Sequence, residues 1–283
     1  MKALAPLLAL LLAAPAAAPL AAAAAAAPAF VPTRFSAEVV GSGPDVLLIP
    51  GLTASKEVWR GTVAAVPGYR YHLIQVAGFA GAAARGNAQG PVIVPLEEEI
   101  ARYIRANGLR RPAVVGHSMG GTLALMLASR HPELVGKAMV VDMLPQPAEL
   151  LGTSAGGIRQ LADVLQSLSG TGFGQGLIDQ AVRMFGNDAP VNVKSDRDVV
   201  ARAAHELALT DLAPELPRLR VPLTVVYASP DRSLSATADG VYARAYAGAP
   251  APRLVRIERS SHMIMADQPQ RFAEALRRFL GEP

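Results

Sequence analysis

The stretch Val114-Val115-Gly116-His117-Ser118-Met119-Gly120-Gly121 decides how this chain is read. An apolar run enters a Gly-x-Ser-x-Gly sequence, and a good helix former follows it. Strand, sharp turn and helix in that order put a serine on strained backbone. The residues two positions either side must then be small, so that strand and helix can pass closely. Such a turn lifts the serine Oγ above a sheet. The helix N-terminus aims backbone N–H groups at an oxyanion forming beside it. A glycine-rich turn with an incidental serine is the plain alternative. The strand before and the helix after favour Ser118 as a nucleophile.

Working outward, short apolar runs recur along the chain and stop at turn residues. They are Arg34 to Val40, Val46 to Ile49, Tyr71 to Val76, Ala113 to Val115, Lys137 to Val141, Leu223 to Tyr227 and Leu254 to Ile257. Continuous apolar runs of this length suit parallel strands covered on both faces. Helical periodicity lies between them, over Pro95 to Asn107, Met119 to Arg130 and Pro269 to Leu280. Alternating strands and helices predict an α/β fold with a mostly parallel sheet and right-handed crossovers. Residues 145–216 break the alternation. They carry helical patterns and glycine-rich joints, and are expected to form a helical lid over the carboxyl end of the sheet. The rest, 28–144 and 217–283, is the expected core.

The first 27 residues read as a secretory signal. Lys2 gives a short positive start, an apolar stretch interrupted by Pro6, Pro15 and Pro19 follows, and the alanines 21–27 offer small-residue cleavage sites. The prolines count against a membrane-spanning helix, and an uncleaved anchor is the alternative. A periplasmic or extracellular location is therefore expected, with no stable membrane insertion after cleavage. The chain has no cysteine, which excludes disulfides, cysteine-based metal sites and a thiol nucleophile. Its net charge of +4 is spread without a dense basic block, so no nucleic-acid partner is expected. No cofactor and no metal are expected either. A small-molecule substrate is the expected partner, and the oligomeric state is not readable.

The elbow, the order Ser…Asp…His and the strand-turn segments around them resemble the α/β-hydrolase family. The resemblance covers roughly Asp45 to Leu280 apart from the insertion. It implies a mainly parallel, eight-stranded sheet with helices on both faces and a Ser-His-acid triad performing acyl transfer. Serine needs a base to act near neutral pH. Of five histidines, His262 lies just after the last strand, where the family's loop histidine sits. His117 is expected to pack or hydrogen-bond structurally. The acid that fixes the imidazole is expected at Asp231, after the strand ending at Tyr227, which is the family's usual place. Asp142 is the rival, because it ends the strand after the elbow helix and some members place their acid there. Asp231 could instead be a Pro-Asp turn residue. Asp267 is expected to cap the last helix.

Two N–H donors should hold the oxyanion. Met119 follows the nucleophile, and by resemblance Leu52 supplies the second. The sequence departs from the family at Pro50-Gly51, where a His-Gly pair is common, and the lipase-type run of three glycines is absent. Trp59, Phe79, Met143 and Met263 are expected to line an apolar substrate pocket, although each could equally be core. The reading is a secreted carboxylic-ester hydrolase working through an acyl-enzyme on a small, apolar ester. The alternatives are an exopeptidase or amidase on the same triad, with Glu149 or Glu206 holding a substrate amine, and a non-catalytic binding protein of the same fold.

Overall fold

The computed structural model describes residues 30–147 and 195–281. Seven strands form one sheet: β1 (Phe35–Gly41), β2 (Asp45–Ile49), β3 (Arg70–Val76), β4 (Ala113–His117), β5 (Lys137–Val141), β6 (Leu223–Ser229) and β7 (Arg253–Glu258). Their spatial order is β1-β3-β2-β4-β5-β6-β7. β1 pairs with β3 antiparallel, and every other pair is parallel. The described residues thus contain seven strands, where the family's usual complement is eight.

The buried strands show why continuous apolar runs were needed. Along β2, Leu47 and Ile49 enter the core on one face, and Val46 and Leu48 enter the core on the other. On β4 and β5 the same alternation separates Val114 and Val140 from Val115 and Val141. A period of two delivers side chains to both faces, so both residue sets must be apolar. The edge strands β1 and β7 are only partly buried and carry polar and charged residues.

The first face is covered by α2 (Ile93–Ala106), α3 (Met119–Arg130), α4 (Arg197–Leu209) and α5 (Ser235–Ala245). The second is covered by α1 (Arg60–Ala65), the short α6 (Ile264–Asp267) and α7 (Pro269–Gly281). The helix α4 belongs to the described end of the expected lid, and it is fixed to the core. Asp196 caps it by accepting from the Asp198 and Val199 amides, both at 3.1 Å. Val199, Val200, Ala203 and Leu207 are buried in the core. Gly78, at φ 92°, makes this packing possible, because a Cβ there would lie 2.9 Å from the Val199 side chain. Residues 148–194, the greater part of the expected lid, lie outside the described residues, as does the expected signal segment.

Candidate active site

The elbow has the geometry its sequence requires. Ser118 sits at φ 54°, ψ −123°, between the end of β4 and the start of α3. This is sparsely populated backbone for a residue with a side chain, so it persists only where its surroundings enforce it. The enforcement is visible. The Ser118 amide donates to the Val141 carbonyl on β5 at 2.9 Å. The Gly121 and Thr122 amides donate back to the Ser118 carbonyl at 2.7 and 3.1 Å. Both elbow glycines are sterically obligatory. A Cβ at Gly116 would stand 1.8 Å from the Gly120 carbonyl oxygen, and one at Gly120 would stand 2.2 Å from that of Ile49. These are backbone contacts, which cannot rotate away.

The Pro50-Gly51 loop closes over the serine. A Cβ on Gly51 would lie 3.0 Å from His117 Nδ1 and 3.1 Å from Ser118 Cβ. The loop carrying Leu52 therefore passes beside the elbow, and Met119 opens α3, whose first amides have no intrahelical acceptor. His117 ties the elbow to the loop after β7. Its Nε2 donates to the His262 carbonyl at 2.8 Å, and the two rings lie 4.6 Å apart. Burial pushes the His117 imidazole down to about 3, with the neighbouring His262 adding to the effect. It is a neutral structural histidine, the role expected for it.

His262 is held by its own loop. Asp267 accepts from both the amide and the hydroxyl of Ser261 at 2.6 Å, so it braces the segment before His262 and does not cap the last helix as expected. Buried Ser260 donates to the Ile257 carbonyl at 2.7 Å.

The carboxylate beside His262 is Asp142, not Asp231. His262 Nδ1 lies 2.8 Å from Asp142 Oδ2. The other oxygen, Oδ1, accepts from the Ala228 amide at 2.9 Å and from the Tyr242 hydroxyl at 3.0 Å. Asp142 is 7% exposed and adopts φ 50°, with its amide bonded to the Val226 carbonyl at 2.7 Å. Burial, and then the negative charge of Asp142, push the Tyr242 phenol well above its ordinary value, so it remains a donor. Tyr242 stacks on Tyr227 at 4.3 Å, and Tyr246 bonds the Met143 carbonyl at 2.7 Å.

Asp231, the expected acid, is exposed and caps a short 3₁₀ turn. It accepts from the Ser233 amide at 2.7 Å, and that amide holds its carboxyl below the ordinary value. The physical reason is strand length. β6 was expected to stop at Tyr227, but Ala228 and Ser229 continue the ladder opposite Ile257 and Glu258. Asp231 is thereby carried past the sheet edge into the turn. Ala228, meanwhile, presents its amide to the shorter neighbour β5, where Asp142 follows directly.

The four expected pocket residues are corrected to core. Trp59 is fully buried on the second face and packs on Phe272 at 6.1 Å. Phe79 is fully buried in the core of the first face, and its carbonyl accepts from the Gln75 side-chain amide at 3.1 Å. Met143 and Met263 follow Asp142 and His262 in the chain, but turn inward and are 3% and 5% exposed. Glu206, one of two candidates for holding an amine, is already engaged. It accepts from the Val92 and Ile93 amides at 2.8 Å and so caps α2 from another helix. Glu149 lies outside the described residues.

A sheet of this topology, with a strained serine on the strand-to-helix turn and a histidine–carboxylate pair on neighbouring loops, has the architecture of a nucleophile-elbow hydrolase. A sequence model described as the Alpha/beta hydrolase family matches residues 46–275, and the chain belongs to that family. Among curated proteins it is similar to a pimeloyl-[acyl-carrier protein] methyl ester esterase of Aeromonas hydrophila subsp. hydrophila. The two are 27% identical over 87% of this chain and 99% of the relative. Among solved structures, an enol-lactonase from Burkholderia xenovorans LB400 superposes with a TM-score of 0.70 at 20% identity, over 88% of this chain and 97% of its own. An esterase from Exiguobacterium antarcticum gives 0.70 and 20% over 88% and 96%. At these identities the solved structures speak for the fold.

Proposed function

We propose that this chain is a serine ester hydrolase in which Ser118 is the nucleophile, His262 the base and Asp142 the acid. The observation that carries the reading is the 2.8 Å bond from His262 Nδ1 to Asp142, on a loop that His117 ties to the elbow where Ser118 is held at φ 54°. A carboxylate on Nδ1 leaves Nε2 as the basic nitrogen. In the first half-reaction Ser118 Oγ bonds the acyl carbon while His262 Nε2 takes its proton. The amides of Met119 and Leu52 receive the oxyanion. The alcohol departs with the proton held by His262. A water deprotonated by the same nitrogen then attacks the acyl-enzyme, His262 returns that proton to Ser118 Oγ, and the carboxylic acid leaves. Asp142 steadies the imidazolium that forms twice in the cycle.

The ester chemistry of the Aeromonas relative supports this reading, whereas its carrier-protein substrate is not carried over. The amide alternative loses support because Glu206 serves α2. The N-terminal sequence supports export, for which the test is the start of the protein recovered outside the cytoplasm, expected near Ala27. For the chemistry, the test is labelling with a fluorophosphonate together with turnover of short-chain nitrophenyl esters. Ser118→Ala should abolish both while the variant stays folded. A wild-type protein that neither labels nor turns over would leave the fold as a binding protein and defeat the reading.

A further inference from the structure

The far end of α3 carries a second cluster that the acyl-transfer site does not use. Glu97 and Glu98 lie in α2, and His131 caps the end of α3, roughly 20 Å along the helix from Ser118 at 1.5 Å per residue. One ligand atom from each, a carboxylate oxygen or an imidazole nitrogen, can be chosen so that all three fall within 4.8 Å of one another. Glu97 is fully buried, and neither of its oxygens has a hydrogen-bond partner; His131 Nε2 has none either. A buried carboxylate without donors is costly, and such groups are otherwise paired or coordinate metals. The neighbouring guanidiniums do not solve the problem. Arg130 is taken by Glu215 at 2.7 Å, and Arg105 is shared between Glu133 at 3.2 Å and His131 Nδ1 at 3.3 Å.

The spacings fit a bound metal ion. His131 Nε2 lies 3.4 Å from Glu97 Oε1 and 3.6 Å from Glu98 Oε1. Tetrahedral zinc with bonds of about 2.0–2.1 Å separates adjacent ligand atoms by roughly 3.3 Å. The atoms are therefore too far apart for good hydrogen bonds and close to the edges of that tetrahedron.

We propose that Glu97, Glu98 and His131 form a structural site for a divalent transition-metal ion of zinc type, with water completing the coordination. Two carboxylates balance the charge of the ion. The imidazole favours zinc-like ions over calcium or magnesium, which prefer all-oxygen shells of higher coordination number. On binding, the ring proton of His131 resides on Nδ1, and Arg105 rests on Glu133 alone. The ion links α2 to the end of the elbow helix without touching the acyl-transfer groups. With no cysteine, the sequence carries no local metal motif. Here the ligands come from two helices and are joined only by the fold.

The test uses untagged, chelator-treated protein titrated calorimetrically with zinc sulfate, and then with calcium and magnesium chloride. Wild type should bind one equivalent of zinc with a dissociation constant of about 1 µM or tighter, and its thermal midpoint should rise with zinc. His131→Ala and Glu97→Gln should each weaken binding by about tenfold or more and lose the thermal shift. Glu98→Gln, at a half-exposed position, reports the same loss if either buried variant fails to fold. No saturable zinc binding by wild type, or undiminished binding by the folded variants, would overturn the site. Equal affinity for calcium would overturn the assigned class of ion.

Discussion

The ends of β5 and β6 each present an aspartate, at Asp142 and Asp231, and the two have opposite surroundings. Asp142 is buried and accepts from an amide and a phenol, with an imidazole nitrogen at hydrogen-bond distance from its second oxygen. Asp231 is exposed and accepts one amide of its own turn. Both follow apolar parallel strands, so composition does not separate them. What separates them is where pairing stops: β5 ends at Val141, opposite Val226, and β6 runs three residues further, to Ser229. The carboxyl ends of neighbouring parallel strands form a staggered rim. The shorter strand leaves its next residue inside the rim, where the longer neighbour's backbone amide can serve it. In this fold a triad acid is thus specified as much by the strand beside it as by its own.

The most direct way to break the comparison is to neutralise each carboxylate. Asp142→Asn should lower kcat for a nitrophenyl ester by about 10⁴-fold, because an amide at that position stabilises the wrong imidazole tautomer. Asp231→Asn should stay within about twofold, since surface changes away from such features are small. Steady-state kinetics on both variants, with circular dichroism to confirm folding, decide the matter. A larger loss in Asp231→Asn would return the acid to the end of β6.

Tyr242 sharpens the same contrast, because Asp142 accepts from a buried phenol of another element besides facing its imidazole, whereas Asp231 is served by Ser233 of its own exposed turn. Tyr242→Phe removes a hydrogen bond to an ionised group while keeping the ring stacked on Tyr227. The loss of about 1.5 kcal/mol expected for such a bond corresponds to roughly tenfold in rate. It should fall on kcat, with KM little changed, because Tyr242 acts through Asp142. An equal loss in KM alone would mark Tyr242 as a packing residue of the pocket side.

Much of the site was legible before any fold was built. The elbow was readable because two glycines and a serine at fixed spacing satisfy contacts that leave no freedom, 1.8 and 2.2 Å from backbone oxygens if a Cβ were added. The strands were readable because both faces of each are buried. Helix α3 was readable from its uninterrupted formers and the His131-Pro132 stop. Helices α1 and α5 were not anticipated. The first is six residues long, and the second buries only Ser235 and Tyr242 and contains Gly240, so neither has an apolar stripe to read. The choice of acid was illegible for the reason already given: register across β5, β6 and β7 is a property of three separate segments. The pocket residues failed differently. A loop position near the site does not fix which way its side chain faces, and Trp59 and Phe79 turn into the core.

The pH response offers the smallest and most selective distinction between the two ends. His117 lies under the Asp142–His262 pair, fully buried, and its imidazole titrates near 3 when folded against 6.5 ordinarily. Above pH 6.5 it is neutral both folded and unfolded and adds no pH dependence. As pH falls below 6.5 the unfolded chain takes up a proton that the folded chain refuses until about pH 3, so stability declines across that window. The slope from this one group has a ceiling of about 1.4 kcal/mol per pH unit. Asp231 acts in a different window. Its folded carboxyl is lowered from 3.8, so any contribution is present above that value and fades only as pH falls further. His117→Gln retains an amide donor for the His262 carbonyl and removes the titration. Urea unfolding at pH 7 and pH 4 should show wild type losing up to about 3 kcal/mol more than the variant. Asp231→Asn should track wild type over the same interval. Parallel losses in wild type and His117→Gln would mean that the acid sensitivity of the fold lies elsewhere than beneath the elbow.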